Sequence, residues 1–320
     1  MGVIVISPKF YNYHVEIKNA LKKKYNNVIL MNEIPYVNIG VYSKIQDYSK
    51  GVISFLWYVF LLKIKRIVSK NSISVIFIIR GYYIPEDVLR DLKQTFPKLK
   101  IFYYQWDSVQ NNPNSLKIAK YAEKSFTFDF NDSIHYQNVF TYLPLYYHWP
   151  DNSDKMKPCQ SDVLLLSSWS EYRQTIVENL KTQLKDLNLN WQVYFYLPPI
   201  TVLKYICTGK YNRVKNVHIV AIDKLHYLSL LKGCKAVLDI PSSQQSGASI
   251  RVIEALSMGK KIISTNHSLS TILFKRESNN ILNYKNFSQY KEFLLSPFCI
   301  EDDLTNIVLS LDEWLNRIGI

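Results

Sequence analysis

The densest chemistry in this chain lies in SGASIRVIEALSMGKKIISTN, Ser246 to Asn266. Two of the chain's nine glycines fall here, Gly247 just ahead of an apolar-periodic run and Gly259 just behind it. Ile250, Ile253 and Leu256 recur at helical spacing and predict the buried stripe of a short helix. Gly259 fits the C-terminal cap. The start of such a helix presents unpaired N–H groups with partial positive charge, which suits an anion, most naturally phosphate. Gly247 and the small Ala248, followed by Ser249, let backbone come close to a ligand. Arg251 and Glu254 are three residues apart and share a second face. There a guanidinium can neutralise phosphate, and a carboxylate can accept two hydrogen bonds from sugar hydroxyls. The alternative is a surface ion pair on an ordinary helix, worth about 0.3–0.5 kcal/mol.

The elements that must position this stretch alternate along the whole chain. VIVIS, VILMNE, VIFIIR, KIFYYQWD, SFTFDF and TYLPLYY read as strands. Between them lie a helix from Tyr13 to Lys24, a long apolar helix and a helix opening at Pro85, with Glu86 and Asp87 favourable beside its positive end. The polar stretch from His148 to Asp162 combines Pro, Asn, Ser and mixed charge, and reads as a linker. After it VLLLSS, WQVYFYL, NVHIVAI, AVLDI, KIISTN and ILNY predict a second series of strands. Their helices run from about Tyr172 to Leu187, Lys224 to Lys232 and Glu301 to Ile318. Alternating β and α with continuous apolar strands implies α/β architecture with parallel sheets covered on both faces. Two such series predict two Rossmann-like domains facing an interdomain cleft. They span residues 1–150 and 160–300, with the helix of 301–320 returning to the first. Ligands of such sheets bind at the carboxyl ends of strands.

Composition narrows the partners. A hydrophobic content of 48% with 20% charged residues describes a globular chain. The formal net charge of +13 calls for an anionic partner: a phosphorylated small molecule or an acidic membrane surface. The basic residues are scattered and carry no RNA-binding signature, so no nucleic-acid partner is expected. Cys159, Cys207, Cys234 and Cys299 form no CxxC, which leaves zinc without support and predicts reduced thiols. MGVIVISPKF lacks a basic leader region and reads as a first strand. SPKFYN, which follows that strand, contains no glycine, against a dinucleotide fingerprint. VISFLWYVFLL, Val52 to Leu62, is too short for the roughly 20 residues that span a bilayer. It predicts a helix between sheet and solvent, or an interfacial helix with its basic KIKR end on anionic lipid.

The loop–helix–strand of the opening stretch resembles the donor-binding segment of GT-B glycosyltransferases. It is similar to bacterial members of the lipopolysaccharide and capsule type, CgeB-like ones included. YYQWDSVQNNP (Tyr103 to Pro113), followed by SFTFDFND and YLPLYY, agrees with that group, as does DVLLLSSWSEYR (Asp162 to Arg173). The resemblance implies that Glu254 holds the donor ribose, and that Gly247, Ala248 and Ser249 lie by the diphosphate. Arg251 would neutralise the diphosphate or brace the loop. Ser168 and Arg173 would face the same phosphates from the second domain's first strand–helix turn. Two departures stand out. Many retaining members carry a further Glu eight positions before the ribose Glu, where this chain has Ser246; relatives often have Gly at Ser167 or Ser168. The missing Glu leaves retaining and inverting outcomes open.

The implied reaction moves a sugar from a nucleotide diphosphate to a hydroxyl of a growing bacterial surface glycan, lipopolysaccharide, capsule or exopolysaccharide. The acceptor would be a glycan or lipid-linked glycan, and the place the cytoplasmic face of an anionic membrane. Charge growing on the leaving phosphate suits Arg173, Arg251 and the helix end. No Asp-x-Asp motif occurs, so no metal and no cofactor are expected. An inverting outcome needs a general base. Asp107, at the end of KIFYYQWD, is the candidate, although it also fits a cap before Ser108. Asp129 and Asp132 come next, Asp132 also fitting a helix cap. His14 is a further base candidate or a plain surface histidine. Arg80 suits an anionic acceptor or a nearby acid. Trp106, with Tyr103 and Tyr104, suits a sugar platform or a core. A rival reading is a non-catalytic sugar-nucleotide or glycan-binding partner of a biosynthetic complex.

Overall fold

The computed structural model describes all residues except 10–11, 38, 151–157, 159, 210–213, 216 and 243, and except the side chains of 39, 43, 46 and 47. By packing, the chain divides into two compact units. One comprises Met1–Pro144, Gln244–Gly247 and Ser310–Ile320; the other comprises Leu145–Ser243 and Ala248–Leu309.

The first unit runs β1 (Gly2–Ser7), α1 (Tyr13–Leu21), β2 (Asn27–Asn32), α2 (Ile39–Tyr48), α3 (Lys50–Lys70) and β3 (Ile73–Ile79). It continues with α4 (Glu86–Thr95), β4 (Lys100–Gln105), α5 (Ser115–Ala119), β5 (Lys124–Thr127), α6 (Phe130–His135) and β6 (Thr141–Tyr142). Its six strands are parallel, in the order β2-β1-β3-β4-β5-β6. Every residue of β1 is buried, as a strand covered on both faces requires. The order reverses between β1 and β3, which makes their carboxyl ends the switch point of this sheet.

The second unit runs β7 (Tyr146–Tyr147), β8 (Ser161–Ser168), α7 (Glu171–Gln183), β9 (Trp191–Tyr196), α8 (Pro199–Cys207), β10 (Val217–His218) and α9 (Lys224–Gly233). Then come β11 (Cys234–Asp239), α10 (Ile250–Ser257), β12 (Lys261–Ser264), α11 (Leu269–Phe274), β13 (Ile281–Asn283), α12 (Tyr290–Leu295), α13 (Leu304–Ile307) and β14 (Leu309–Ser310). Six parallel strands lie in the order β10-β9-β8-β11-β12-β13, and β14 pairs with β7. Here the switch point lies between β8 and β11. The predicted α/β class with two parallel sheets is what the chain builds.

Three elements depart from the expectation. The helix predicted over Glu301–Ile318 breaks at Ser310, whose hydroxyl accepts from the Glu313 amide while Glu313 bonds back to Ser310, a capping box that starts a new helix. That helix, α14 (Leu311–Ile318), packs in the first unit, where fully buried Trp314 meets the rings of Tyr104 and Phe77 at 4.6 and 5.8 Å. TYLPLYY splits into β6 and β7 around Pro144, which has no N–H for a ladder. Among the described residues of NVHIVAI, pairing is at Val217 and His218, on the sheet edge beside β9. Most of the predicted linker, residues 151–157 and 159, lies outside the described residues.

Candidate functional site

At the switch point of the second sheet, β8 ends on Ser168 and Ser170 caps α7 by accepting from the Arg173 amide at 3.2 Å. The cap places Arg173 in the first turn with its side chain laid over two strand ends. Its Nε donates to the Ile240 carbonyl at 2.9 Å, and its Nη1 donates to the carbonyl and Oγ of Ser168 at 3.1 and 2.9 Å. Burial lowers the Arg173 pKa first, and the nearby Arg251 guanidinium lowers it further against the pull of Asp239. Neither arginine makes an ion pair with a described residue. The structure thus brings Ser168, Arg173 and Arg251 together.

The start of α10 lies beside them. Ser249 is its N-cap residue by backbone, yet its hydroxyl donates to Asp239 Oδ1 at 2.7 Å and makes no cap bond. Asp239, only 2% exposed, closes β11 and also receives the Ser264 hydroxyl at 3.4 Å. The first amides of α10 are therefore left without a side-chain cap, and a cap-free helix start attracts anions.

Further along α10 two expectations change. The buried stripe is wider than predicted: Val252, Ile253, Glu254, Ala255 and Leu256 are all buried, because the helix packs between β7 and the ends of β11 and β12. Glu254 is 1% exposed, so the surface-pair alternative fails. Its partner is Lys224, whose Nζ donates to Oε1 at 2.6 Å, and Oε2 makes no hydrogen bond to a described residue. Lys224 also lies 5.2 Å from the centre of the Trp149 ring.

Gly247 and Ala248 do other work than the sequence suggests. Gly247 packs in the first unit, where a Cβ would come within 2.1 Å of the Phe128 carbonyl oxygen. That backbone by itself demands a glycine here. Ala248 is buried in the second unit, so its methyl belongs to the core.

Within the first unit, Asp129 caps α6 by accepting from the Asp132 amide at 3.1 Å. It also takes the Ser246 amide and hydroxyl, each at 2.7 Å. These bonds engage both oxygens of a buried carboxylate and hold it as a helix cap, which ranks Asp129 behind Asp107 as a base. Asp132 is not the cap; it sits inside α6 and accepts from the Val109 amide at 2.6 Å. Burial pushes its pKa up to about 6, with help from Asp129 and Asp107 and against the Val109 amide and His135. Asp107 is half-buried. Its Oδ1 accepts from the Ser108 amide, Asn111 Nδ2 and Gln245 Nε2 at 3.0, 2.9 and 2.9 Å, so the cap role is real. Oδ2 has no hydrogen bond to a described residue and keeps acceptor capacity.

At the switch point of the first sheet, Ser7, Pro8, Tyr13, His14, Ile17, Ile79 and Trp106 line a small recess. Tyr13 and Trp106 rings lie 5.7 Å apart there. His14 is half-buried rather than a surface residue, and its Nδ1 has no partner among the described residues. Burial, and then Lys9, lower its pKa, which favours the neutral imidazole. Tyr103 and Tyr104 are fully buried and belong to the core; of the three aromatics only Trp106 reaches the recess. Arg80 is bound to the fully buried Glu33, which favours the nearby-acid alternative over an anionic acceptor.

Sequence reading missed Lys224, Asp239 and Gln245. An acid closing the apolar strand AVLDI was a usable signal for Asp239, since unpaired acids are rarely buried. Lys224 and Gln245 carried none. Among the described residues no group of three His, Cys, Asp or Glu could hold a metal ion.

No protein-family model matches the chain, and no curated protein matches it. Solved structures do. UDP-GlcNAc 2-epimerase from Methanocaldococcus jannaschii aligns over 99% of both chains, with a TM-score of 0.58 at 13% identity. The lipopolysaccharide outer core galactosyltransferase WaaB, in its apo form, aligns over 99% of both chains, with a TM-score of 0.54 at 11% identity. The chain has the GT-B fold. A third structure of that fold, the spinosyn rhamnosyltransferase SpnG complexed with thymidine diphosphate, covers 100% of both chains with a TM-score of 0.50 at 10% identity. At such identities the GT-B likeness fixes the path of the chain and leaves the chemistry to the side chains described above.

Proposed function

We propose that this chain is a glycosyltransferase that takes a nucleotide-diphosphate sugar as donor. The observation that carries the reading is the pair Arg173 and Arg251, drawn together at the β8/β11 switch point beside the uncapped start of α10. Like charges gathered at the positive end of a helix are stable with an anion between them, and a diphosphate fits. As the glycosidic bond to the diphosphate breaks, charge grows on the leaving oxygen, and cations already in place lower the barrier. Glu254, held by Lys224 through Oε1, offers Oε2 to the ribose hydroxyls. No metal has a part in this reading, and chelation by EDTA leaves transfer intact. The acceptor hydroxyl loses its proton to Asp107 Oδ2 or to neutral His14. The acceptor is a bacterial surface glycan or its lipid-linked precursor, in keeping with the net charge of +13 and a chain held at the cytoplasmic side of an anionic membrane.

A second reading has specific support, because UDP-GlcNAc 2-epimerases align over the whole chain. A third, a binding partner without turnover, draws on Ser246 standing where retaining enzymes have Glu. One experiment separates them. A panel of UDP-, GDP-, CMP- and dTDP-sugars is screened by thermal shift, and each hit is incubated with glycan acceptors. A new glycoside plus the freed nucleotide, a nucleoside diphosphate from UDP-, GDP- or dTDP-sugars or CMP from CMP-sugars, supports transfer. An isomerised sugar nucleotide supports epimerisation, and a shift with no product supports binding alone.

A further inference from the structure

Helix α3 carries more apolar surface than its core uses. Trp57, Phe60, Ile64 and Val68 bury one face. On the opposite face Val52, Phe55, Tyr58 and Leu62 are 45%, 63%, 57% and 46% exposed. Steps of three and four residues set them in one stripe. The last two turns continue that side of the helix with Lys63, Arg66 and Lys70, all exposed. The helix has no acidic residue. On the neighbouring α4, Asp91 is taken by Lys65 at 2.5 Å and Asp87 by Arg90, while Lys63, Arg66 and Lys70 make no ion pair with a described residue. Lys63 lies 5.8 Å from the centre of the exposed Tyr36 ring, which widens the patch.

A protein facing only water has little use for four large apolar side chains in a row beside free cations. Their order along the helix, apolar first and basic last, decides the occupant. Hydrocarbon satisfies the first part and phosphate headgroups the second. No helix among the described residues is long and apolar enough to cross a membrane. We propose that α3 lies in the plane of an anionic bilayer, with Phe55 and Leu62 at the acyl boundary and Lys63, Arg66 and Lys70 on lipid phosphates. This gives the membrane part of the reading above a definite surface, and it does not depend on the donor chemistry.

The test is flotation of the full chain with vesicles of phosphatidylcholine alone and of phosphatidylcholine with phosphatidylglycerol. The expected result is flotation with the anionic vesicles, weakened by salt. The double variants Phe55→Ser/Leu62→Ser and Lys63→Glu/Arg66→Glu each lower the bound-to-free ratio at least about tenfold. Both pairs are exposed, so thermal melts match the parent. The inference is overturned if the parent fails to float, or if the variants float equally well. It is also overturned if the parent self-associates in solution and Phe55→Ser/Leu62→Ser makes it monomeric, which would assign the face to a second copy. A nucleotide thermal shift on the same samples keeps the two readings apart: flotation without any nucleotide response upholds this inference and removes the donor reading.

Discussion

Lys224 Nζ lies 2.6 Å from Glu254 Oε1, and the carboxylate it holds is almost wholly shielded from water. The pairing satisfies one oxygen of Glu254, and the other makes no hydrogen bond to a described residue. Removing Lys224 strands a buried charge. Lys224→Met should lower stability by about 1–3 kcal/mol, less than for a fully buried pair because the lysine is partly exposed. It should also weaken nucleotide binding, since the carboxylate loses its fixed orientation. Urea unfolding and nucleotide titration of the same variant check both.

Ser246 and Asp129 form a hydrogen-bonded corner of the first unit that would not accept a second carboxylate. Asp129 accepts twice from Ser246, and a Glu there would set two carboxylates against each other in a buried place. Ser246→Glu should therefore cost about 1–3 kcal/mol of stability rather than improve turnover. Ser246→Ala, which keeps the amide bond, should cost about 1 kcal/mol. A denaturant series with the two variants reads the difference.

Gly247→Ala should be similarly harmful, by about 1–3 kcal/mol, because the backbone at Phe128 occupies the space a methyl needs. If the glycine served a ligand alone, the variant would fold like the parent and lose only binding. Paired melting and binding curves tell the two apart.

Asp132 sets a pH trend of its own. Its folded pKa of about 6 is raised, so between about pH 4 and pH 6 the folded state holds a proton that the unfolded chain has lost. Stability from this group is thus fully present below about pH 4 and falls as pH rises through 6, by about 1–2 kcal/mol after allowing for solvent access. Asp132→Asn should remove that fall and gain stability at pH 8 but not at pH 4. Chemical unfolding of parent and variant across pH 4–8 measures it.

His14 predicts the opposite slope in activity. Its pKa is lowered by burial and then by Lys9, so the neutral base persists below the ordinary histidine range and is lost only as pH falls further. If it is the base, His14→Gln loses transfer while donor binding stays; if Asp107 is, Asp107→Asn does so. Initial rates over pH 5–8 for the two variants assign the role.

Much of the scaffold was legible because strand residues such as those of β1 and β3 are buried on both faces, which writes continuous apolar runs into the sequence. Arg173 and Arg251 were legible from their places next to predicted strand and helix starts. Side-chain partnerships across distant segments were not. Nothing local marks Lys224 as the partner of Glu254, thirty residues on, or Phe128 as the reason for Gly247. The break at Ser310 was readable as a Ser-x-x-Glu capping box, yet the apolar spacing on either side of it suggested one helix.

The central claim is that Arg173 and Arg251 grip a diphosphate at the start of α10. Calorimetric titration of UDP and dTDP into the parent, Arg173→Ala and Arg251→Ala tests it most directly. The account predicts binding by the parent and at least about a tenfold loss in each variant, with melting curves that still show a folded chain. Equal affinity in all three proteins, or no binding of either nucleotide by the parent, would contradict it.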